Sequence, residues 1–376
     1  MKSEAELLDE LKFKWFILPL ESVLSKKQNT QFRGQCLKCG KQFLFHFNKN
    51  TPTACPHCSN DHQTELERII ADRIASLGIN VIQHYFPKNF NRKEIDIFLP
   101  DRNIGFEVNG ALTHNSGWSP FSDEVKTSDY HAIKTKKAQS LGIRLYHIWE
   151  HWGTDKALEI VDSKLGVFSE RLFARNLEIR ISFDSKEEDE LLNEAHVLGC
   201  TLPTFSASLF RGSECIQTMQ FKKESEDTLN LVRNVSKIGT SVIGGSTRIF
   251  KHAVSFIKKT MPQYKDIIIY AIRDLTPFKE DAVYTRLGFK PLGDVGPSRS
   301  YYVHRNVKLG GRIFLRSGVY NRQMFMKYKL NSFNGALQID GYPFMFNEAI
   351  SADENLAKLG IYPVFNSGCW KYIYKL

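Results

Sequence analysis

Four of the chain's seven cysteines fall in one short window, as Cys36-Leu37-Lys38-Cys39 and Cys55-Pro56-His57-Cys58. Fifteen residues separate the two CxxC pairs, and Gly40 and Pro56 punctuate the turns. Four thiolates brought to one point suit a tetrahedral Zn²⁺ ion held at about 2.3 Å from each sulfur. Between the pairs, Phe43, Phe45 and Phe47 alternate with period two, the pattern of a strand with one aromatic face. The expectation is a structural zinc ribbon over residues 31–62, behind a helical segment at 1–30. A redox pair or incidental cysteines are the alternatives. Cys200, Cys215 and Cys369 stand alone and read as buried small apolar residues. An odd total with four bunched together argues against a disulfide framework and for a reducing, cytoplasmic setting.

A length of 376 residues implies two or three cores. With 42% hydrophobic residues, 27 Phe and 14 Tyr, the chain has ample material to pack them. The formal net charge of +10 is uneven: +4 over residues 1–60, −1 over 61–175, −3 over 176–250 and +10 over 251–376. Two basic ends around a carboxylate-rich centre point to a polyanionic partner. Met1 to Glu10 carries four acids and one base, and no apolar run approaches 18 residues, so secretory and membrane-spanning readings are not expected.

The centre carries the chemistry. Leu66, Ile69, Ile70, Ile74 and Leu77 recur at helical spacing, Gly78 ends the helix, and Glu67 shares the face of Ile70, Ala71 and Ile74. Glu65 is the alternative acid, off that face. Strands follow at Asn80–Phe86, Glu94–Pro100 and Ile104–Gly110, the last two joined by a turn at Asp101-Arg102-Asn103. Asp96 and Glu107 each sit in an otherwise apolar strand, where a hairpin can bring both to one hydrated Mg²⁺. A helix over Asp129–Leu141 carries His131 and Lys134 one turn apart, and Gly142 opens a strand at Ile143–Glu150. Helix, three strands, helix, strand is similar to the core of the PD-(D/E)XK nucleases.

The run Glu94-Ile95-Asp96 … Phe106-Glu107-Val108-Asn109 … His114 … Tyr130-His131 … Lys134 … His147-Ile148-Trp149-Glu150 resembles the very-short-patch-repair-like, EDxHD free-standing homing endonucleases of phages over residues 62–155. The resemblance implies Glu67 as a helix acid, Asp96 and Glu107 as Mg²⁺ ligands, and His131 and Lys134 as proton-transfer and phosphate-stabilising groups. It implies His114 as a general base or leaving-group acid; a loop histidine facing water is the other reading. Asn109 stands where the E-x-K pattern has lysine. Either Lys134 fills that role or the site is damaged.

Downstream, Lys186–Glu190 reads as a solvated helix start. Strand-like pieces at 205–210, 215–221 and 228–235 precede Gly244-Gly245-Ser246, a helix over Thr247–Lys259, a strand at Asp266–Ala271, a helix at Asp281–Leu287, Gly288-Phe289, and a strand at Tyr301–Val303. This order is similar to a GNAT-like acetyltransferase core, and a glycine turn at a helix N-terminus can cradle a pyrophosphate. The Gly-x-Gly spacing and upstream Arg/Gln of coenzyme A loops are missing, which favours a repurposed scaffold. From Tyr301 on, ten Lys and Arg face four acids among aromatics. Arg305, Lys308, Arg312, Arg316, Arg322, Lys327 and Lys329 are the candidate phosphate contacts.

The combined expectation is an α/β multidomain chain: zinc ribbon, PD-(D/E)XK-like mixed-sheet nuclease core at 63–170, GNAT-like α+β domain at 171–305, and basic extension at 306–376. It is expected to act as a Mg²⁺-dependent endonuclease on double-stranded DNA, without a membrane or an obligatory protein partner, in the cytoplasm of the host cell if phage-encoded. A catalytically impaired DNA-binding protein and an acetyltransferase are the alternatives.

Overall fold

In a computed structural model of the chain, the residues described are 8, 11–12, 17–20, 32–37, 42–45, 47–48, 51–52, 64–90, 93–110, 113–117, 126–304, 314–315, 338–339, 342–343, 347, 349–358 and 360–376. The chain divides into two compact units, 1–68 and 69–376. In the first, β1 (Ile17–Pro19) pairs antiparallel with β2 (Phe32–Cys36), and β2 with β3 (Gln42–Phe45). Leu11, Ile17, Phe32, Phe45 and Leu66 are its buried apolar residues among those described. Helix α1 (Glu65–Ser76) runs across the boundary between the units, with Ile70, Ala71 and Ile74 buried.

The second unit begins with a four-stranded sheet in the order β4 (Ile82–Tyr85), β5 (Ile95–Leu99), β6 (Ile104–Asn109), β7 (Arg144–Trp149). β5 and β6 form a tight hairpin, with Ile97 opposite Phe106 and Leu99 opposite Ile104. The turn closes at Asn103, whose φ of 54° lies in the left-handed region that asparagine tolerates. β6 and β7 are parallel and are joined through α2 (Tyr130–Ser140), as a parallel pair requires. Every residue of β6 is buried, because the strand is central and covered on both faces. Phe90, Ile95, Phe98, Ala138, Ile143 and Leu145 form the core beside it. Gly105 is required there: a Cβ would stand 2.9 Å from both Ile95 and Leu145.

After α3 (Thr154–Leu165) and β8 (Glu170–Phe173), a seven-stranded sheet builds the rest. Its order is β9 (Glu178–Ser182), β10 (Phe205–Arg211), β11 (Glu214–Lys223), β12 (Thr228–Ser236), β14 (Asp266–Ile272), β18 (Cys369–Lys375), β15 (Lys290–Val295). The strand omitted, β13 (Thr240–Ile243), pairs in parallel with β8. One face is covered by α5 (Gly245–Thr260): Ile249, Phe250, Ala253 and Ile257 pack with Phe205, Ala207, Leu209 and Phe221. α4 (Lys186–Ala195) contributes Leu191 to a second cluster with Phe210 and Cys215. Here the expected solvated acid run differs at one position. Glu188 is buried, because its carboxylate accepts hydrogen bonds from Ser182 and Ser208, both at 2.6 Å.

The strand at β16 (Arg299–His304) joins a separate small sheet with β17 (Ile361–Phe365). Tyr301, Val303 and Val364 from these strands pack with Trp149 of β7. A buried carboxylate ties the same regions together: Asp274 Oδ2 accepts from Trp149 Nε1 at 2.8 Å, and its Oδ1 from the amide and hydroxyl of Ser367. The backbone carbonyl of Asp274 also accepts from His147 N.

No helix among the described residues is long and apolar enough to cross a membrane. Replacing Gly105 by Val should lower stability by about 1–3 kcal/mol through overpacking. A urea unfolding midpoint equal to that of the parent would contradict the packing described.

Candidate functional site

The sequence-selected residues of the second unit come together at the centre of the first sheet. Residues 95–99 alternate so that Asp96 turns away from the side of Ile95 and Ile97, and the Asp96 carboxylate accepts the Val108 amide at 2.7 Å. Glu107, on the neighbouring strand, is 1% exposed, and its Oε2 meets Lys134 Nζ of α2 at 2.5 Å. α2 therefore buries an unusual face for a helix: His131, Lys134 and Thr135 point inward with Ala132 and Ala138. Lys134 reaches Glu107 from α2, and Asn109 supplies no charge there. Burial works against its ammonium, and Glu107, Tyr130 and Asp96 outweigh that cost, holding its pKa above the usual lysine range. Burial foremost, and then neighbouring Asp96, push Glu107 in the direction of protonation, which Lys134 opposes. The outer oxygen, Oε1, has no hydrogen-bond partner among the described residues.

Around this pair stands a shell of imidazoles. His114 Nδ1 lies 3.4 Å from His131 Nε2, with the rings stacked at 5.1 Å. His131 also packs edge-on against Trp149 and His147, at 4.9 and 5.2 Å between ring centroids. His147, which sequence reasoning did not single out, is the one whose protonation state the geometry defines. The Thr135 hydroxyl donates to the His131 carbonyl, so its oxygen accepts from His147 Nε2 at 2.8 Å. Nδ1 is then left to accept from Asn109 Nδ2 at 3.2 Å. Alternation along β7 puts His147 on the face of Glu107, its parallel partner, and that was the available signal. Burial drives His114 and His147 down to about 3 and holds His131 well below its usual value. The site is thus one buried ion pair walled by neutral histidines.

Glu67, in the first unit, is buried, and its amide caps onto Thr64 Oγ1 at 3.2 Å. Only the backbone of Cys36 is described, at the end of β2, and Cys39, Cys55 and Cys58 lie outside the described residues. Arg305, Lys308, Arg312, Arg316, Arg322, Lys327 and Lys329 lie outside them as well.

A second candidate lies in the seven-stranded sheet. β12 and β14 pair in parallel only over Thr228–Asn230 and Asp266–Ile268, so Leu231–Ser236 face β14 without a ladder. A bulge at Val232 accompanies the opening, since Gln220 pairs with Arg233 while Phe221 pairs with Leu231. α5 starts close by in sequence, after Gly244, whose φ of 76° only glycine adopts at ease. Arg248 is the first residue of α5 to donate to a helical carbonyl, that of Gly244, which leaves the amides of Gly245, Ser246 and Thr247 unsatisfied by the helix. Gln217 closes against this turn: its Nε2 donates to Ser246 Oγ at 2.9 Å, and a Cβ at Gly245 would collide with it. The Tyr284 hydroxyl, from α6 (Val283–Arg286), hydrogen-bonds Asn234 in the open part of β12, and burial raises its pKa to about 12.

No family model matches the chain, and no curated protein matches it. Among solved structures it is similar to a Bacillus subtilis acetyltransferase in complex with CoA, at 12% identity and a TM-score of 0.26, covering 53% of this chain and 99% of that one. A GNAT family acetyltransferase from Elizabethkingia anophelis with acetyl-CoA bound gives 11%, 0.27, 54% and 99%. A tandem GNAT protein from the clavulanic acid biosynthesis pathway gives 8%, 0.31, 53% and 98%.

These findings correct the expected kinship with phage homing endonucleases and the Mg²⁺-dependent deoxyribonuclease activity that came with it. The similar solved structures are acetyltransferases, and no nuclease family is indicated. The Mg²⁺ assignment is corrected too: no group of three His, Cys, Asp or Glu side chains among the described residues could hold a metal ion, whereas the expected Zn²⁺ ligands Cys39, Cys55 and Cys58 lie outside those residues. The physical reason at the first sheet is local. Lys134 pairs with Glu107, and Asp96 accepts a backbone amide, so one of the two carboxylate charges is already met by a lysine. Of the expected fold, the mixed α/β architecture stands and the nuclease core is unsupported, while the expected zinc-ribbon cysteines, apart from the backbone of Cys36, lie outside the described residues.

Lys134→Met should cost about 3–5 kcal/mol, because it strands a buried carboxylate, and adding Glu107→Gln should restore much of that loss. Urea midpoints of the single and double variants check this, and additive losses would refute the pairing. A histidine kept neutral in the fold binds its proton more readily once unfolded. Stability is therefore full above pH about 6.5 and is lost as the pH falls toward about 3. Each such histidine should add about 1.4 kcal/mol per pH unit to that loss, and His147→Gln should flatten the slope in denaturant titrations between pH 7 and 5.

Proposed function

We propose that the seven-stranded half binds a coenzyme A thioester and transfers its acyl group, the acetyltransferase reading that the sequence held as an alternative. One observation carries it. Two parallel central strands, β12 and β14, part after three paired residues, and a glycine-opened helix, α5, follows between them in the chain. The order of the sheet, with the last strand inserted between β14 and β15, agrees with the GNAT-like pattern.

The residues present fit the group. Three unsatisfied amides at Gly245, Ser246 and Thr247 favour a diphosphate, helped by the helix dipole. The unpaired edge of Leu231–Ser236 offers backbone donors and acceptors to an extended, amide-bearing arm. Coenzyme A, when bound, supplies the acyl group on an activated thioester. Tyr284, protonated at neutral pH, holds a proton beside that edge, where a departing thiolate could take it.

Calorimetry with acetyl-CoA tests the reading, with saturable binding expected. Thr247→Asp places a carboxylate in the first turn of α5, where it favours the helix and repels a diphosphate. It should weaken binding at least about tenfold without lowering the melting temperature. No binding heat and no melting shift with excess acetyl-CoA would sink the proposal.

A further inference from the structure

We propose that the outward face of α5 is a docking surface for double-stranded DNA. This goes beyond acyl transfer and rests on different atoms. Among its sixteen residues α5 holds Arg248, Lys251, His252, Lys258 and Lys259, and not one Asp or Glu. Lys251, Ser255, Lys258 and Lys259 follow i, i+4, i+7, i+8 spacing and are all exposed, opposite buried Phe250, Ala253 and Ile257. Arg248 is committed to the carbonyls of Ala174 and Leu177, so the stripe belongs to the lysines.

Those three lysines form no ion pair among the described residues. Arg180, Arg211, Lys223, Lys237 and Lys375, on the strands of the same sheet or just beyond them, each meet a carboxylate. The stripe is therefore an unneutralised positive surface about 12 Å long. Duplex phosphates recur about every 3.4 Å along each strand, so lysines on flexible stems can reach several of them.

Two features select the duplex over other polyanions. A helix that lies on an anionic membrane must insert its apolar face, and that of α5 is spent in the sheet core. Single strands are gripped by stacking on exposed aromatics. Neither aromatic of α5 faces outward: Phe250 packs on Phe289 and Tyr374, and Phe256 on Phe205 and Phe183. Lysines on a convex helix contact phosphates without reading bases, so binding should not depend on sequence.

The test is fluorescence anisotropy of a labelled duplex of about 30 base pairs with the full chain, titrated across salt. Lys251→Gln, Lys258→Gln and Lys259→Gln combined should flatten the slope of log K against log salt by about 2.7, while the triple Lys→Arg variant keeps it. Melting temperatures of both variants, equal to the parent's, exclude a folding defect. An unchanged slope in the glutamine variant, absence of duplex binding by the parent, or tighter binding to phosphatidylserine vesicles or single strands than to duplex would each overturn the proposal.

Discussion

The second unit depends on one buried carboxylate. Asp274 leaves the end of β14 and receives the indole N–H of Trp149 from β7 and two donors from Ser367, just before β18. Its own carbonyl takes the amide of His147. Burial raises its pKa, and the hydrogen bonds from Ser367 and Trp149 oppose that shift. A charge so placed is tolerated only because every side of it is donated to. The two sheets are thus joined by a polar clamp whose geometry is directional, where an apolar contact would leave their relative orientation loose. Trp149 answers to both demands, giving its N–H to Asp274 and its ring to Tyr301 and His131.

The same economy of buried charge explains the centre of the first sheet. Glu107 is the middle of a strand closed on both faces, and a carboxylate there requires a cation or a proton. Lys134 reaches it from α2 and serves as that cation. The histidines around it stay neutral because burial forbids further charge and Lys134 already contributes a positive one. In physical terms the cluster carries its own counter-charge, although Glu107 Oε1, Asn109 Oδ1 and His131 Nδ1 are buried without a hydrogen-bond partner among the described residues.

Much of this was legible in the residues. The alternation Ile95-Asp96-Ile97 and the turn at Asn103 gave the β5–β6 hairpin, and the spacing of His131 and Lys134 put both on one helix, one turn apart. What pattern could not supply was the use of those charges. Periodicity says that Asp96 and Glu107 point inward, and says nothing of whether a metal or a lysine answers them. Glu188 misled in the opposite direction: in a run of acids it read as solvent-facing, yet two serines from other strands hold it in the interior. Asp274 escaped notice because its partners, at 149 and 367, are remote in sequence, and local patterns carry no information about such contacts.

Strand β18 lies between β14 and β15, although the chain makes β15 first and returns only at Cys369 after building β16 and β17 elsewhere. The sheet therefore has a gap beside its edge strand until a long detour is complete. Until then β14 and β15 each present a bare edge of unpaired backbone. Closing late over so long a loop makes assembly slow, because the contacts that reward it are among the most distant in the chain. The nascent protein accordingly passes through a stage in which its largest core is open on one side, and that interval is when association with other open chains competes most strongly with folding.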